Sequence, residues 1–156
     1  MPDEPVSDPM FYSSEFRHGI DDKRRVSIPA KWRPAQADTE FMLILWPSGA
    51  AADANILVLP PAQAKALVKK ISEMPAADPH AQSLRRLIGG KSAAAKLDKS
   101  GRMMLPEDMA KKAGLEKDTE AVLIGLVDRF EIWNPKRFEI VSQADSALLA
   151  DAFKLV

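Results

Sequence analysis

The sequence has no cysteine and only two histidines among its 156 residues, and these absences remove several kinds of site at the outset. Without cysteine there is neither a disulfide framework nor a thiolate ligand for a metal ion. His18 and His80 supply little imidazole for zinc or for proton transfer, and we expect both at the surface. The chain also lacks a glycine-rich phosphate loop, metal-ligand spacing and a nucleophile beside a base. We therefore expect no metal, no cofactor, no small-molecule substrate and no enzymatic activity.

A long hydrophobic run is also missing, because no apolar stretch approaches the roughly 18 residues that a membrane-spanning helix needs. The N-terminal stretch MPDEPVSDP is acidic and proline-rich, whereas a secretory signal is basic and then apolar. These features predict a flexible extension over residues 1–10 of a cytoplasmic protein with no membrane partner.

Net charge is absent too, since 22 basic residues balance 22 acidic ones, but the balance is uneven along the chain. Residues 17–33 hold six basic residues against two acidic ones, and residues 65–112 hold eleven against five. Hydrophobic residues make up 46% of the chain, which is typical of a folded globular protein. Positive charge is therefore concentrated in two segments of a folded chain.

The two basic segments contain one motif twice. The stretch GIDDKRRVSIPAKWR, residues 19–33, aligns without a gap with KLDKSGRMMLPEDMA, residues 96–110, which lies 77 positions later. The aligned pairs are Asp21 with Asp98, Arg25 with Arg102, and Pro29 with Pro106. We interpret the match as an internal duplication whose kernel is D-x-x-x-R, a short strand and a proline.

Short apolar runs bounded by turn residues predict three strands in each half of the chain. One strand follows each motif arginine, and the others lie in FMLILW (41–46), NILVLPP (55–61), AVLIGL (121–126) and FEIWNPK (130–136). Each motif proline predicts the first residue of a helix, which Pro34 shortens to about one turn in the first half. Helical spacing is present at residues 67–74 and at residues 84–88, where Gly89 and Gly90 predict the helix end.

These elements predict an α+β fold in a single domain of two pseudo-symmetric halves, residues 11–75 and 76–138, with interleaved strands. A C-terminal helix is expected over residues 139–156. One face of that helix is apolar, and we expect it to pack on the core of the chain, although a partner subunit is the alternative. The residues of this face are Ile140, Val141, Ala144, Leu148 and Phe153.

The D-x-x-x-R motif has two interpretations, which can hold together for the arginines. In the structural one, Asp21 and Asp98 form ion pairs with the arginines four residues later and fix the two turns. In the functional one, basic side chains on paired loops bind phosphate oxygens or guanine edges of DNA. The residues of this candidate DNA-binding surface are Lys23, Arg24, Arg25, Lys99 and Arg102.

Three stretches of the chain, HGIDDKRRVSIPAKWR, LDKSGRMMLP and VLIGLVDRFEIWNPKRFE, resemble the MraZ family of bacterial regulators, which is associated with the division and cell-wall gene cluster. The resemblance extends from about Phe11 to Phe138. It implies a swapped-hairpin, double-split β-α-β fold of the AbrB-like kind with peripheral helices. It also implies a homo-oligomeric ring that binds direct repeats of double-stranded DNA at the promoter of its own operon, in association with the nucleoid. By similarity, Arg25 and Arg102 contact the DNA, supported by Lys23 and Lys99.

The sequence departs from the family pattern at two places. Arg24 stands where members usually have glycine, so the first turn has to bend without glycine and gains a charge. The usual aromatic cluster before the second motif is replaced by RRLIGGKSAAAKL. A second function class therefore stays open: a protein-interaction module with purely structural turns, as in toxin-neutralising relatives of the same fold.

Overall fold

The computed structural model describes residues 11–47 and 54–156, which form one mixed α+β domain. The predicted extension over residues 1–10 lies outside these residues. Strands β1, β7, β8, β4, β3 and β5, in that order, form an antiparallel sheet, and β2 pairs with β6 in a separate two-stranded ribbon. The strands are β1 (Glu15–Gly19), β2 (Arg25–Ser27), β3 (Phe41–Trp46), β4 (Asn55–Leu59), β5 (Ala93–Ala95), β6 (Arg102–Met104), β7 (Glu120–Gly125) and β8 (Phe130–Trp133).

Four α-helices and two short 3₁₀ helices complete the described part of the chain. The α-helices are α1 (Pro61–Ser72), α2 (Pro79–Lys91), α3 (Glu107–Lys112) and α4 (Pro135–Ala152), and the 3₁₀ helices are Ala30–Trp32 and Phe153–Leu155. None of the helices within these residues is long and apolar enough to cross a membrane.

The period-two alternation of the strands divides the core between the two faces of the sheet. In β4, Ile56 and Val58 join the cluster that contains the ribbon and α3, whereas Leu57 and Leu59 join the cluster that contains α1 and α2. Helix α4 packs on the second face through Phe138. The ribbon therefore lies on the face of the sheet opposite to helices α1, α2 and α4.

The largest cluster fixes the ribbon to the sheet. Val26 of β2 and Met103 of β6 are paired across the ribbon, and both are fully buried. Trp32 packs its ring 4.9 Å from that of Phe130, measured between centroids, and its Nε1 donates to the Ser13 carbonyl at 3.0 Å. Because the inner side of the ribbon is held by this packing, its outer side faces solvent in a defined orientation.

The structure confirms the six predicted strands and adds two. Strand β1 precedes the first turn and β5 precedes the second, so each of the predicted halves contains four strands rather than three. Strand β5 consists of three alanines, which have low strand propensity, and it forms only because it pairs with β3. The two short helices were predicted to start at Pro29 and Pro106. Each starts one residue later, so each proline is the residue just before the helix.

The predicted end of α2 at the two glycines is wrong. The helix continues through Gly89 and Gly90 to Lys91. Glycine inside a helix costs about 1 kcal/mol relative to alanine but does not end it. The preceding turn is anchored by Ile88, which is buried against the sheet, so packing overrides the local signal.

The prediction that the apolar face of the C-terminal helix packs on the core is also wrong for most of its length. Helix α4 starts at Pro135, capped by the Asn134 side chain, and buries Phe138 with Val141 packed beside it. From residue 142 to residue 156 every side chain is exposed. The sheet offers an apolar surface to the first two turns only, so Leu148 and Phe153 have no core to cover.

Candidate nucleic-acid interface

The first motif forms a tight turn closed by its own aspartate. Asp21 Oδ1 accepts hydrogen bonds from the backbone N–H groups of Lys23 and Arg25, both at 2.9 Å, and Oδ2 accepts from Arg25 Nε at 2.7 Å. The backbone closes the same loop, because Asp21 N–H donates to the Arg25 carbonyl at 3.0 Å. The carboxylate therefore fixes both the turn and the arginine.

The second motif repeats this geometry. Asp98 Oδ1 accepts from the N–H groups of Ser100 and Arg102 at 2.9 Å, and Oδ2 accepts from Arg102 Nε at 3.0 Å. The hydrogen bonds, led by the one from the backbone N–H of the motif arginine, lower the pKa of both Asp21 and Asp98. A lowered pKa means that both carboxylates stay ionised to lower pH than unpaired aspartates do, as the structural interpretation of the motif requires.

The ribbon holds the two turns close together, one at each of its ends. Arg25 pairs with Met104 and Ser27 pairs with Arg102 across β2 and β6. Backbone hydrogen bonds extend this pairing at both ends of the ribbon, since Ile28 N–H donates to the Gly101 carbonyl at 3.0 Å and Leu105 N–H donates to the Arg24 carbonyl at 2.8 Å. The two arginines thus lie diagonally across the outer side of the ribbon.

A cross-turn ion pair joins the two motifs. Arg102 Nη1 lies 3.7 Å from Oδ2 of Asp21, which already binds Arg25. The side chains of Arg25 and Arg102 keep 25% and 34% of their exposure. One carboxylate is therefore shared between two partly exposed guanidinium groups.

The residue before each arginine has a left-handed backbone, with φ of 59° at Arg24 and 77° at Gly101. A Cβ at Gly101 would lie 2.3 Å from Nε of Arg33, which crosses the second turn and donates to the Ile28 carbonyl at 2.9 Å. Arg24 keeps its side chain, and its Nε is buried without a hydrogen-bond partner. The first turn thus adopts without glycine the conformation for which the second turn uses glycine.

The structure places all five predicted basic residues on these two adjacent turns. Lys23 and Lys99 are exposed at the tips, and Arg24, Arg25 and Arg102 are partly buried at the bases. Across the described ranges no group of three or more histidine, aspartate, glutamate or cysteine side chains is arranged to hold a metal ion. His80 is exposed and His18 is half-buried in β1, so the surface prediction holds fully only for His80.

Comparison with known proteins gives concordant matches. The family model described as "MraZ protein, putative antitoxin-like" matches residues 90–154. A relative from Natranaerobius thermophilus, named "Transcriptional regulator MraZ", is 33% identical over 85% of this chain and 87% of its own length. Relatives with the same name from Herpetosiphon aurantiacus and Thermomicrobium roseum are 33% and 30% identical over 87% and 81% of this chain, and 91% and 84% of theirs.

This chain belongs to the MraZ family. The matches to its MraZ relatives cover most of the chain, whereas the MraZ family model covers the second motif, β6 to β8 and α4.

Three residues close to the two turns were not predicted from the sequence. Ser27 and Met104 occupy the outer side of the ribbon beside the arginines, and Arg33 covers the second turn. The signal for Ser27 and Met104 was the same period-two alternation that placed Val26 and Met103 inside. Arg33 carried no signal beyond its place in a basic segment.

Proposed function

We propose that this chain is a transcriptional regulator that binds double-stranded DNA through the basic residues of its two turns. These residues, Lys23, Arg24, Arg25, Lys99 and Arg102, are called here the two-turn surface. The proposal is supported by the relatives, which are named transcriptional regulators. The observation that carries it is the ribbon register, which sets both motif arginines on the outer side of the ribbon, with an exposed lysine in the turn at each end.

The chemistry of the arginines suits this role. Each motif arginine pairs with its own aspartate through Nε, which orients the guanidinium. Arg102 also directs Nη1 at Asp21, and the other terminal nitrogens of the two arginines supply the donors for a ligand. An oriented planar fork loses little entropy when it binds a phosphate or the O6 and N7 atoms of guanine. The lysines at the turn tips add mobile positive charge for phosphate contacts. The ion pairs therefore orient the arginines for binding and leave donors available for DNA.

The finer features of the function extend the same proposal. The repeated turns and the exchange between β2 and β6 support a duplicated, AbrB-like swapped hairpin with halves at residues 11–75 and 76–138. A chain with few basic contacts gains affinity when several copies act together. We therefore propose a ring of identical subunits on direct repeats at the promoter of its own operon in the division and cell-wall cluster. This places the protein in the cytoplasm, on the nucleoid.

The test is DNA binding by paired variants of equal charge. Arg25→Ala combined with Arg102→Ala should abolish salt-sensitive binding to the upstream region of the operon. Lys65→Ala combined with Arg86→Ala removes the same charge from exposed positions on α1 and α2, across the sheet, and should leave binding unchanged. Retention of wild-type affinity by the first pair would reject the two-turn surface.

A second candidate function is a protein-interaction module, favoured by the closed hydrogen bonding of both turns and by the antitoxin-like description of the family model. In that case the arginines only stabilise the fold. The arginine pair would then melt well below the wild type, and the wild type itself would show no preference for the upstream DNA. Thermal melting of the same variants separates the two candidates.

A further inference from the structure

The outer side of the ribbon carries two residues that break the symmetry of the repeat. Val26 and Met103 are fully buried, so alternation turns Arg25, Ser27, Arg102 and Met104 outward. The alignment that superposes Arg25 on Arg102 superposes Ser27 on Met104. One half thus presents a hydroxyl group where the other presents a thioether.

Met104 is an unusual residue at this place, because it is 55% exposed while its neighbour in the chain is completely buried. Its partner across the ribbon is Arg25, and Arg102 lies two residues before it on the same side of β6. A single methionine flanked by two arginines in the ribbon is too small an apolar surface to dock a protein. It is a single polarizable apolar group set in a cationic surface.

The major groove of DNA combines hydrogen-bond acceptors with apolar groups, which complements a surface of arginine and methionine. The major groove admits a two-stranded β-ribbon, and its base edges present guanine acceptors beside the methyl group of thymine. Phosphates that flank the groove suit the lysines at the turn tips. Arginine and methionine side by side therefore match a guanine and a thymine that lie close together in the groove.

We propose that the outer side of the ribbon enters the major groove, with Met104 packed on a thymine methyl group and Ser27 hydrogen-bonded at the equivalent place in the other half. This inference rests on the proposed function of the two-turn surface and adds a specificity determinant to it. Since the two halves of the chain differ at this position, the DNA site that one chain contacts is asymmetric. Each chain therefore binds its site in one orientation.

The consequence for the DNA is a directional arrangement. A ribbon with identical halves would favour a palindromic site, because its pseudo-twofold axis would coincide with that of the duplex. The pair of Ser27 and Met104 removes this equivalence, as does the contrast of Arg24 with Gly101. Several chains on one duplex then point the same way, and their sites recur as direct repeats.

The experiment removes one methyl group from the DNA and one side chain from the protein. A duplex library with a randomised central segment is enriched on the full-length protein, and each thymine of the selected site is then replaced by deoxyuridine. One replacement should weaken wild-type binding about fourfold per site, the effect of exposing one methyl-sized group. Met104→Ala should bind the thymine duplex about equally weakly and be indifferent to that replacement.

Three controls make the outcome decisive. Met104→Leu keeps an apolar contact and should retain the sensitivity to deoxyuridine. Val68→Ala shortens an exposed apolar side chain on α1, across the sheet, and should behave as the wild type. Thermal melting of Met104→Ala should match the wild type, because the side chain is exposed.

The outcomes distinguish this inference from the function on which it rests. If the wild type selects a site that requires Arg25 and Arg102, but Met104→Ala binds it normally and keeps the sensitivity to deoxyuridine, the inference is wrong and the function stands. If the wild type enriches no duplex, the proposed function fails first. A selected site that is a perfect palindrome would also overturn the directional arrangement.

Discussion

Arg24 and Gly101 occupy equivalent positions in the repeat, but one has a long charged side chain and the other has none. Both have a left-handed backbone, which costs a residue with a Cβ about 1–2 kcal/mol. The second turn avoids this cost with glycine, and Arg33 fills the space that glycine leaves. The first turn accepts the cost at Arg24. Retaining a strained arginine beside the motif is consistent with a binding role at that turn.

Arg24→Gly should therefore stabilise the protein while weakening its binding to DNA. Relief of the left-handed backbone gains about 1–2 kcal/mol, and the greater freedom of glycine in the unfolded chain returns about 0.4–1 kcal/mol of that. A net gain of about 1 kcal/mol should raise Tm by about 2–4 °C in thermal melting. Higher Tm with unchanged DNA affinity would remove Arg24 from the two-turn surface.

Gly101→Ala should have the opposite effect on stability. The new Cβ would meet Arg33, whose Nε would have to leave the Ile28 carbonyl, and the backbone at φ 77° would remain strained. We expect a loss of about 1–2 kcal/mol from the backbone, measured by urea unfolding. Gly90→Ala is the matched control, because a Cβ there meets nothing and the residue lies in a helix. An unchanged unfolding midpoint for Gly101→Ala would contradict the role of glycine in this turn.

Glu131 is the described carboxyl group whose pKa is raised, and the cause is burial between β8 and α4, with a smaller repulsion from Asp145. A raised pKa in the folded state means that the folded chain binds the proton more tightly than the unfolded chain. Glu131 therefore favours folding at pH values below its ordinary pKa, and this contribution is lost as pH rises through the raised pKa.

Glu131→Gln should consequently raise Tm at neutral pH. The glutamine oxygen keeps the hydrogen bond that Trp133 Nε1 donates at 2.8 Å, while the buried charge disappears. The difference in Tm between variant and wild type should shrink as pH falls below the ordinary pKa of glutamate. Glu139→Gln changes an exposed carboxylate on α4 and should leave Tm at neutral pH close to the wild-type value. A Glu131→Gln variant that is less stable than the wild type at neutral pH would contradict this account.

At the scale of the elements, sequence patterns predicted what local physics determines. The strand over residues 41–46 is entirely apolar, has an aromatic residue at each end and is followed by turn residues, and it forms at those bounds. Strand β5 could not be predicted, because its three alanines become a strand only through pairing with β3. The end of α2 was misplaced for a related reason, since burial of Ile88 outweighs the glycines that follow.

The sequence named the residues of the two turns but not their geometry. Repetition of D-x-x-x-R at a fixed offset marked both aspartates and both motif arginines, and the other three basic residues were named because they lie in the same two turns. Their role in binding DNA stays a prediction. The shared contact between Arg102 and Asp21 is a tertiary feature, which depends on the pairing of β2 with β6. Arg33 was missed because nothing local indicates that it crosses to the other turn.

Helix α4 offers a matched pair of substitutions that separates intramolecular packing from exposure. Phe138 is 8% exposed, and its ring lies 6.0 Å from that of Trp133, so Phe138→Ala should cost about 3–5 kcal/mol. Phe153 is 68% exposed, and Phe153→Ala should leave the stability of a single chain unchanged. Urea unfolding measures both, with light scattering on the same samples. A large loss for Phe153→Ala accompanied by a lower mass would show that another subunit covers this end of α4.

At the scale of the whole molecule, the placement of charge matters more than its sum. The net charge is zero, yet five basic residues lie in the two turns at the ends of the ribbon. The motif aspartates beside them serve as turn caps and arginine partners. Binding to DNA should thus depend steeply on salt, although the protein as a whole is neutral. The logarithm of the association constant falls with the logarithm of salt concentration by about 0.9 for each phosphate neutralised.

Lys23→Ala combined with Lys99→Ala should flatten this salt dependence. Both lysines are exposed at the turn tips, so their loss should reduce the slope by about two units per bound chain and leave Tm unchanged. Lys65→Ala combined with Lys69→Ala removes the same charge from α1, on the other face of the sheet, and should keep the wild-type slope. Titration at several salt concentrations, with the mass of the complex measured by light scattering, gives the slope per chain. Equal salt slopes for the two double variants would show that DNA binding depends on the total charge of the protein. The proposed phosphate contacts of Lys23 and Lys99 would then be wrong.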